Sequence, residues 1–265
     1  MDKRLLTIFK APGEDDRIEA RLRHSEFATH RHDSYTLALT LSGVQGFNYR
    51  GEQRHSLPGQ AVILHPDEPH DGKTVADAGF SYRAIAVDPF EMQLCLGGVD
   101  LPFISSGLSE HPALVHTLRQ VLNDLSQPLH GFERQDAIQS LCHGLFLASG
   151  KKAVAEQLDM RAVRLAREYM LDNWQSQITL EALEQESDCD RYKLTRDFKR
   201  LLGTSPYRFL QLRRLDKARA LMQSGSSLAD TAACCGYADQ SHFTRQFRHY
   251  VGMTPGQWLK AKMPQ

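Results

Sequence analysis

The chain has 265 residues, with 32 Lys+Arg against 32 Asp+Glu, 12 His and 41% hydrophobic residues; that is enough for one or two globular domains with cores of their own. No apolar run approaches the roughly 18 residues of a membrane span, and the apolar stretch at residues 5–9 is too short for a signal-peptide core, so a cytoplasmic protein with no membrane partner is expected. Five cysteines, Cys95, Cys142, Cys189, Cys234 and Cys235, are odd in number and form no CxxC pair, which reads as free thiols in a reducing compartment.

The zero net charge averages two unlike halves. Residues 1–150 hold 13 basic and 19 acidic side chains, whereas residues 151–265 hold 19 and 13, and from Arg191 onward the balance is 14 to 4. Ten of the 12 histidines precede residue 150. An acidic, His-rich module joined to a basic one is the simplest account, and a basic terminal module points to nucleic acid.

In chain order, residues 36–41 (TLALTL) alternate and stop at Ser42-Gly43. Residues 46–50 are short and aromatic, residues 61–64 are apolar after Pro58-Gly59, and residues 81–87 (SYRAIAV) end at Asp88-Pro89. Short strands with Gly and Pro between them predict a small β-barrel or sandwich. The period then changes: residues 112–124 and 132–148 repeat apolar side chains at three and four, predicting two amphipathic helices that pack either on the barrel or against a second copy of the chain. Residues 149–152 (SGKK) mark the expected boundary, dividing residues 1–150 from 151–265. Beyond it the pattern is helical at 162–173, 180–186, 191–201, 206–223, 228–235 and 240–250.

The last third repeats itself. LTRDFKRLLGTSPYRFL at 194–210 aligns with FTRQFRHYVGMTPGQWL at 243–259 at an offset of 49, and residues 180–184 match 228–232 at an offset of 48. Each copy is a short helix, a turn and a longer helix. Gly236 suits the positive φ of the second turn and Asp239 or Gln240 starts the helix after it; in the first copy Asp190 stands at the N-cap and Asp188 at the turn, where Gly is easier. Leu194, Phe198 and Leu201 share one face, as do Phe243, Phe247 and Tyr250; the opposite faces carry Tyr192, Thr195, Arg196 and Lys199, and His242, Thr244, Arg245 and Arg248. A helix apolar on one side with Arg, Thr and His on the other suits a DNA major groove.

On these residues, 160–265 resemble the DNA-binding domain of the AraC/XylS family of bacterial transcription regulators. The resemblance implies base contacts from Tyr192, Thr195 and Arg196 in the first motif and Gln240, Ser241, His242 and Arg245 in the second, with Lys199, Arg200 and Arg248 nearer phosphates. It implies two helices reading successive major-groove faces about 34 Å apart. The sequence departs from the family pattern at Glu184, where a small Ala is usual, and at Asp188 in place of Gly.

In the front half, His30-Arg31-His32, Gly43, Pro58-Gly59 and the run from Pro66 to His70 resemble a cupin barrel, the sensor module commonly joined to this DNA-binding domain. Thr36 or Leu37 stands where metal-dependent cupins carry a Glu. Three readings stay open for His30, His32 and His70: contacts to an organic effector, a divalent metal held by three imidazoles, or a structural role. His65 and residues 67–71 lie near the expected mouth.

The expected fold is therefore α+β and multi-domain: a cupin-like barrel with two following helices, at about 110–148, that dimerise or relay a signal, and then an all-α domain with two helix-turn-helix motifs. The expected function is sequence-specific transcription regulation controlled by a small molecule, with promoter DNA, that effector, a second copy and RNA polymerase as partners, no catalytic residues and no obligatory cofactor. The alternatives are a cupin metalloenzyme, a dioxygenase or isomerase, carrying a DNA-binding appendage, and a regulator without a ligand.

Overall fold

A computed structural model of the chain describes residues 5–11, 16–150 and 158–262. The chain divides into two compact units, Met1–Gln157 and Leu158–Gln265. Of the polar stretch at 149–152, Ser149 closes the last helix of the first unit, and Lys151 and Lys152 lie outside the described residues. No helix among the described residues is long and apolar enough to cross a membrane.

The strands of the first unit are β1 (Leu5–Lys10), β2 (Arg17–Arg23), β3 (Glu26–His30), β4 (Tyr35–Gly43), β5 (Gln45–Tyr49), β6 (Glu52–Ser56), β7 (Ala61–Leu64), β8 (His70–Thr74), β9 (Phe80–Val87) and β10 (Leu108–Ser109). They form two antiparallel sheets, β1-β2-β9-β4-β7-β10 and β3-β8-β5-β6. Register fixes which residues share a face. Ala38 lies opposite Val62 on one side and Ala84 on the other, and Ala84 lies opposite Ile18. With Phe47 and Tyr49 they make the interior between the sheets. The alternate residues Tyr35, Leu37, Leu39, Ile63, Ile85 and Val87 face outward into a second apolar layer. β4 is thus buried on both faces, and its inward Thr40 is satisfied by a 2.7 Å bond to Ser56 Oγ.

That outer layer is covered by α2 (Pro112–Val121) and α3 (Gly131–Ala148), whose Leu114, Leu118, Leu141 and Leu145 are fully buried against the sheet. The apolar stripes of both helices are therefore spent on the barrel. α2 stops at Val121, short of the expected end near Asp124, because its terminal carbonyls find other partners. Arg17, 1% exposed, donates to the carbonyls of Val121, Asp124 and Gln127, and Arg83 donates to those of Leu122 and Asn123. A helix unforeseen in the sequence, α1 (Pro89–Leu96), begins where β9 ends: Asp88 caps it by accepting from Phe90 N at 2.8 Å, and Pro89 takes the first helical position.

The second unit consists of α4 (Met160–Asp172), α5 (Leu180–Ser187), α6 (Arg191–Leu202), α7 (Pro206–Gln223), α8 (Leu228–Cys234), α9 (Gln240–Val251) and α10 (Pro255–Lys262). The long helix α7 joins two small cores. Near its start Phe209 meets Phe198 of α6, ring centroids 5.6 Å apart; farther on, Leu212, Leu215, Ala218 and Met222 pack with Ala232, Phe243, Phe247 and Trp258. Arg214, buried in α7, ties the halves together by donating to the carbonyls of Trp174 and Ser176, both at 2.7 Å, in the loop before α5.

Candidate nucleic-acid interface and effector site

The repeated sequence makes repeated ends. Asp190 accepts from Tyr192 N and Lys193 N at 3.0 and 3.1 Å and starts α6; Asp239 accepts from His242 N at 2.6 Å and starts α9. Both helices are 12 residues long and stop on a left-handed glycine, Gly203 at φ 77° and Gly252 at φ 80°. α6 buries Leu194, Phe198 and Leu201, and α9 buries Phe243, Phe247 and Tyr250. The side chains read from the sequence as DNA contacts lie on the remaining surface. Tyr192, Arg196 and Lys199 are exposed and Thr195 and Arg200 half-buried; Gln240, Ser241, Arg245 and Arg248 are exposed and His242 half-buried against the Tyr237 ring. Each helix thus offers cationic and hydrogen-bonding side chains on the side away from its core.

Around α6 lies an ionic framework that sequence reasoning missed. Glu184 on α5 accepts from Arg191 Nη2 at 2.8 Å and Nε at 3.0 Å, and Glu181 adds a 2.6 Å contact to the same guanidinium. The Glu that departs from the family pattern therefore pins the start of α6. Behind it, Asp197 is buried and accepts from Lys193 Nζ (2.9 Å), Asp159 N (3.1 Å) and Arg196 Nε (3.2 Å). Burial alone raises the Asp197 carboxyl, but these donors outweigh it and hold it below the usual range. The signal available in the sequence was the (i, i+4) pair Lys193–Asp197.

In the first unit the register brings the three histidines together. His30 and His70 are cross-strand partners in the β3–β8 pair, and Tyr49 pairs with His70 from the other side. Ring centroids are 4.5 Å apart for His30–His70, 4.8 Å for His32–His70 and 6.2 Å for His30–His32. Each ring turns Nδ1 to a backbone carbonyl, Ala28 O, Ser34 O and Glu68 O respectively, at 2.8 to 2.9 Å. A neutral imidazole facing a carbonyl carries its proton on that nitrogen, which leaves the lone pair on Nε2. Burial, with His32 and His30 beside it, pushes His70 well below the usual imidazole value, so it stays neutral.

The position where a cupin Glu was sought holds Thr36, and its hydroxyl bonds His32 Nε2 at 3.2 Å, occupying that lone pair. The rings pack edge to face or tilted against one another, and among the described residues no group of three or more His, Cys, Asp or Glu is placed to hold a metal ion. His65 is also not at the mouth. It is 2% exposed, bonded through Nδ1 to Tyr49 OH at 2.5 Å, and accepts Ile104 N–H on Nε2 at 3.1 Å, which makes it a strut for the segment before β10. Asp67 supports the trio from behind: its N–H donates to His32 O at 2.7 Å and its carboxylate faces Arg31 at 3.4 Å.

Two family models match this chain: an AraC-like ligand binding domain at residues 13–142 and a helix-turn-helix domain at residues 183–261, together more than three quarters of the chain. The chain belongs to the AraC family. It is a DNA-binding transcriptional regulator with a ligand-binding domain. Relatives of the AraC chain include the HTH-type transcriptional regulator YbfI of Bacillus subtilis (strain 168), 25% identical over 229 residues, covering 82% of this chain and 81% of YbfI. The HTH-type transcriptional activator RhaS of Escherichia coli O81 (strain ED1a) is 25% identical over 250 residues, covering 90% and 89%. Among solved structures, ToxT from Vibrio cholerae matches with a TM-score of 0.61 at 15% identity, covering 93% of this chain and 98% of that one, a likeness of fold.

Proposed function

We propose that α6 and α9 enter successive major grooves of promoter DNA, with Tyr192, Thr195 and Arg196 of the first helix and Gln240, Ser241, His242 and Arg245 of the second reading base edges. Lys199, Arg200 and Arg248 contact phosphates and set the register. The observation that carries this reading is the repetition of the outward pattern at constant offset on two identically capped helices, because a solvated surface has no reason to repeat Thr and Arg on both. Arginine facing a guanine edge supplies about 1–3 kcal/mol of discrimination. Arg245→Ala is therefore expected to weaken specific binding by about tenfold or more with little change on random DNA; equal loss on both would reassign Arg245 to a phosphate.

We assign the effector to the barrel end formed by His30, His32 and His70, where two imidazoles from the end of β3 and the residues after it converge with one from β8. A small molecule bound there controls DNA occupancy only by binding one state of the protein better than another. The protein is expected to act in the cytoplasm, as a pair of copies and in contact with RNA polymerase at the promoter. The exposed Phe132 and Leu147 of α3 support pairing through the outward side of that helix. A thermal-shift screen of metabolites tests the effector site: a compound that stabilises the wild type and loses its effect in His32→Ala supports it, and one that stabilises both equally binds elsewhere.

A further inference from the structure

Neither the DNA-reading surface nor the histidine trio uses the cysteines. In the first unit, α1 and α3 enclose a surface pocket of about 410 Å³ whose wall includes Leu94, Arg134, Ile138 and Gln139, with Cys95 beside them. Cys95 is exposed. One turn along α3 from Ile138 and Gln139, Cys142 is buried with its Sγ 4.0 Å from Met92 O on α1. Met92 and Cys95 are three residues apart and so share a face of α1. Cys142 therefore packs against the turn of α1 that carries Cys95, on the helix contact that the pocket borders.

We propose that Cys95 and Cys142 form an oxidant-sensing pair, converted by hydrogen peroxide entering this pocket to a disulfide that ties α1 to α3. The Cys95 sulfur attacks the peroxide O–O bond and becomes a sulfenic acid, and the departing hydroxide leaves as water with the Cys95 proton. The Cys142 sulfur then attacks the Cys95 sulfur; the S–O bond breaks and the hydroxyl takes the Cys142 proton to leave as a second water. The two thiols together lose two electrons and two protons, and both peroxide oxygens end as water. Exposure selects Cys95 as the first thiol to react. Burial pushes the Cys142 thiol up, with Cys95 itself the next contributor, so Cys142 stays protonated and inert toward solvent until a sulfenic acid forms next to it. The finished bond closes residues 95–142 into a ring, which restricts the unfolded chain and stabilises the first unit.

The test uses the reduced full-length chain and hydrogen peroxide in slight molar excess, with thiol counting and mass spectrometry of a non-reducing digest. Loss of two thiols, a linked Cys95–Cys142 peptide pair, reversal by dithiothreitol and a raised melting temperature are expected. In Cys142→Ser, Cys95 is expected to accumulate as a sulfenic acid trapped by dimedone; in Cys95→Ser, Cys142 is expected to stay reduced. Oxidation of wild-type Cys95 to the sulfinic acid with Cys142 left reduced, or a Cys95 disulfide between two copies, would overturn the proposal.

Discussion

In the second helix-turn-helix motif the turn between α8 and α9 falls on Gly236, at φ 71°, where an added Cβ would lie 2.5 Å from Gln175 O. Ala232 packs beneath it in the apolar core. In the first motif the same two places hold Asp188, at φ 51°, and Glu184, whose carboxylate grips Arg191 at the head of α6. One motif takes its turn from backbone freedom and small apolar packing; the other accepts a left-handed aspartate, costing about 1 kcal/mol, and offsets it with charge. A sequence repeat therefore does not repeat the forces that hold each copy. The first motif should respond to salt and acid where the second does not.

The largest expected effect tests the second motif. Gly236→Ala places a methyl against a carbonyl at a φ that disfavours it, and a loss of about 2–3 kcal/mol in α8–α9 is expected, read as faster amide exchange there with little change in α5–α6. Asp197→Asn should cost α6 about 1–3 kcal/mol through weakened bonds to Lys193, Asp159 and Arg196. Because the folded Asp197 carboxyl lies below its ordinary 3.8, its contribution is present above that value and lost as pH falls through the lower folded value. Acid titration of the wild type should therefore weaken α6 before α9, and the Asn variant should lose that difference.

Glu184→Ala should destabilise the first motif by about 0.5–1 kcal/mol at low salt and by almost nothing at 1 M, since its partner is about one-third exposed. The smallest effect has the opposite sign. Asp188→Gly should stabilise α5–α6 by about 0.5–1 kcal/mol, and a loss there would mean that the aspartate makes an interaction the turn needs.

Legibility followed the kind of force at work. The 49-residue repeat, the caps at Asp190 and Asp239 and the whole of α7 were readable because periodicity and capping are local. The histidine trio was readable by spacing, although its use of Thr36 was not, since that bond depends on where β4 places a hydroxyl. β2 escaped notice because RIEARLR looks like a solvated segment; its Arg17 is buried only because the end of α2, about a hundred residues away, needs donors. α1 is hidden for the opposite reason: Asp88-Pro89 reads as the end of a strand, and the same pair is an N-cap followed by a first-turn proline. The partner of Glu184, seven residues on, required the turn itself to bring α5 onto α6.

The central claim is that both recognition helices read DNA, and in vitro selection of binding sites by the purified full-length chain tests it most directly. The expected result is a motif with two conserved boxes about 10 base pairs apart, one lost in Arg196→Ala and the other in Arg245→Ala. A single box, unchanged by Arg196→Ala, would contradict it and leave the ionic framework around α6 as a purely structural device.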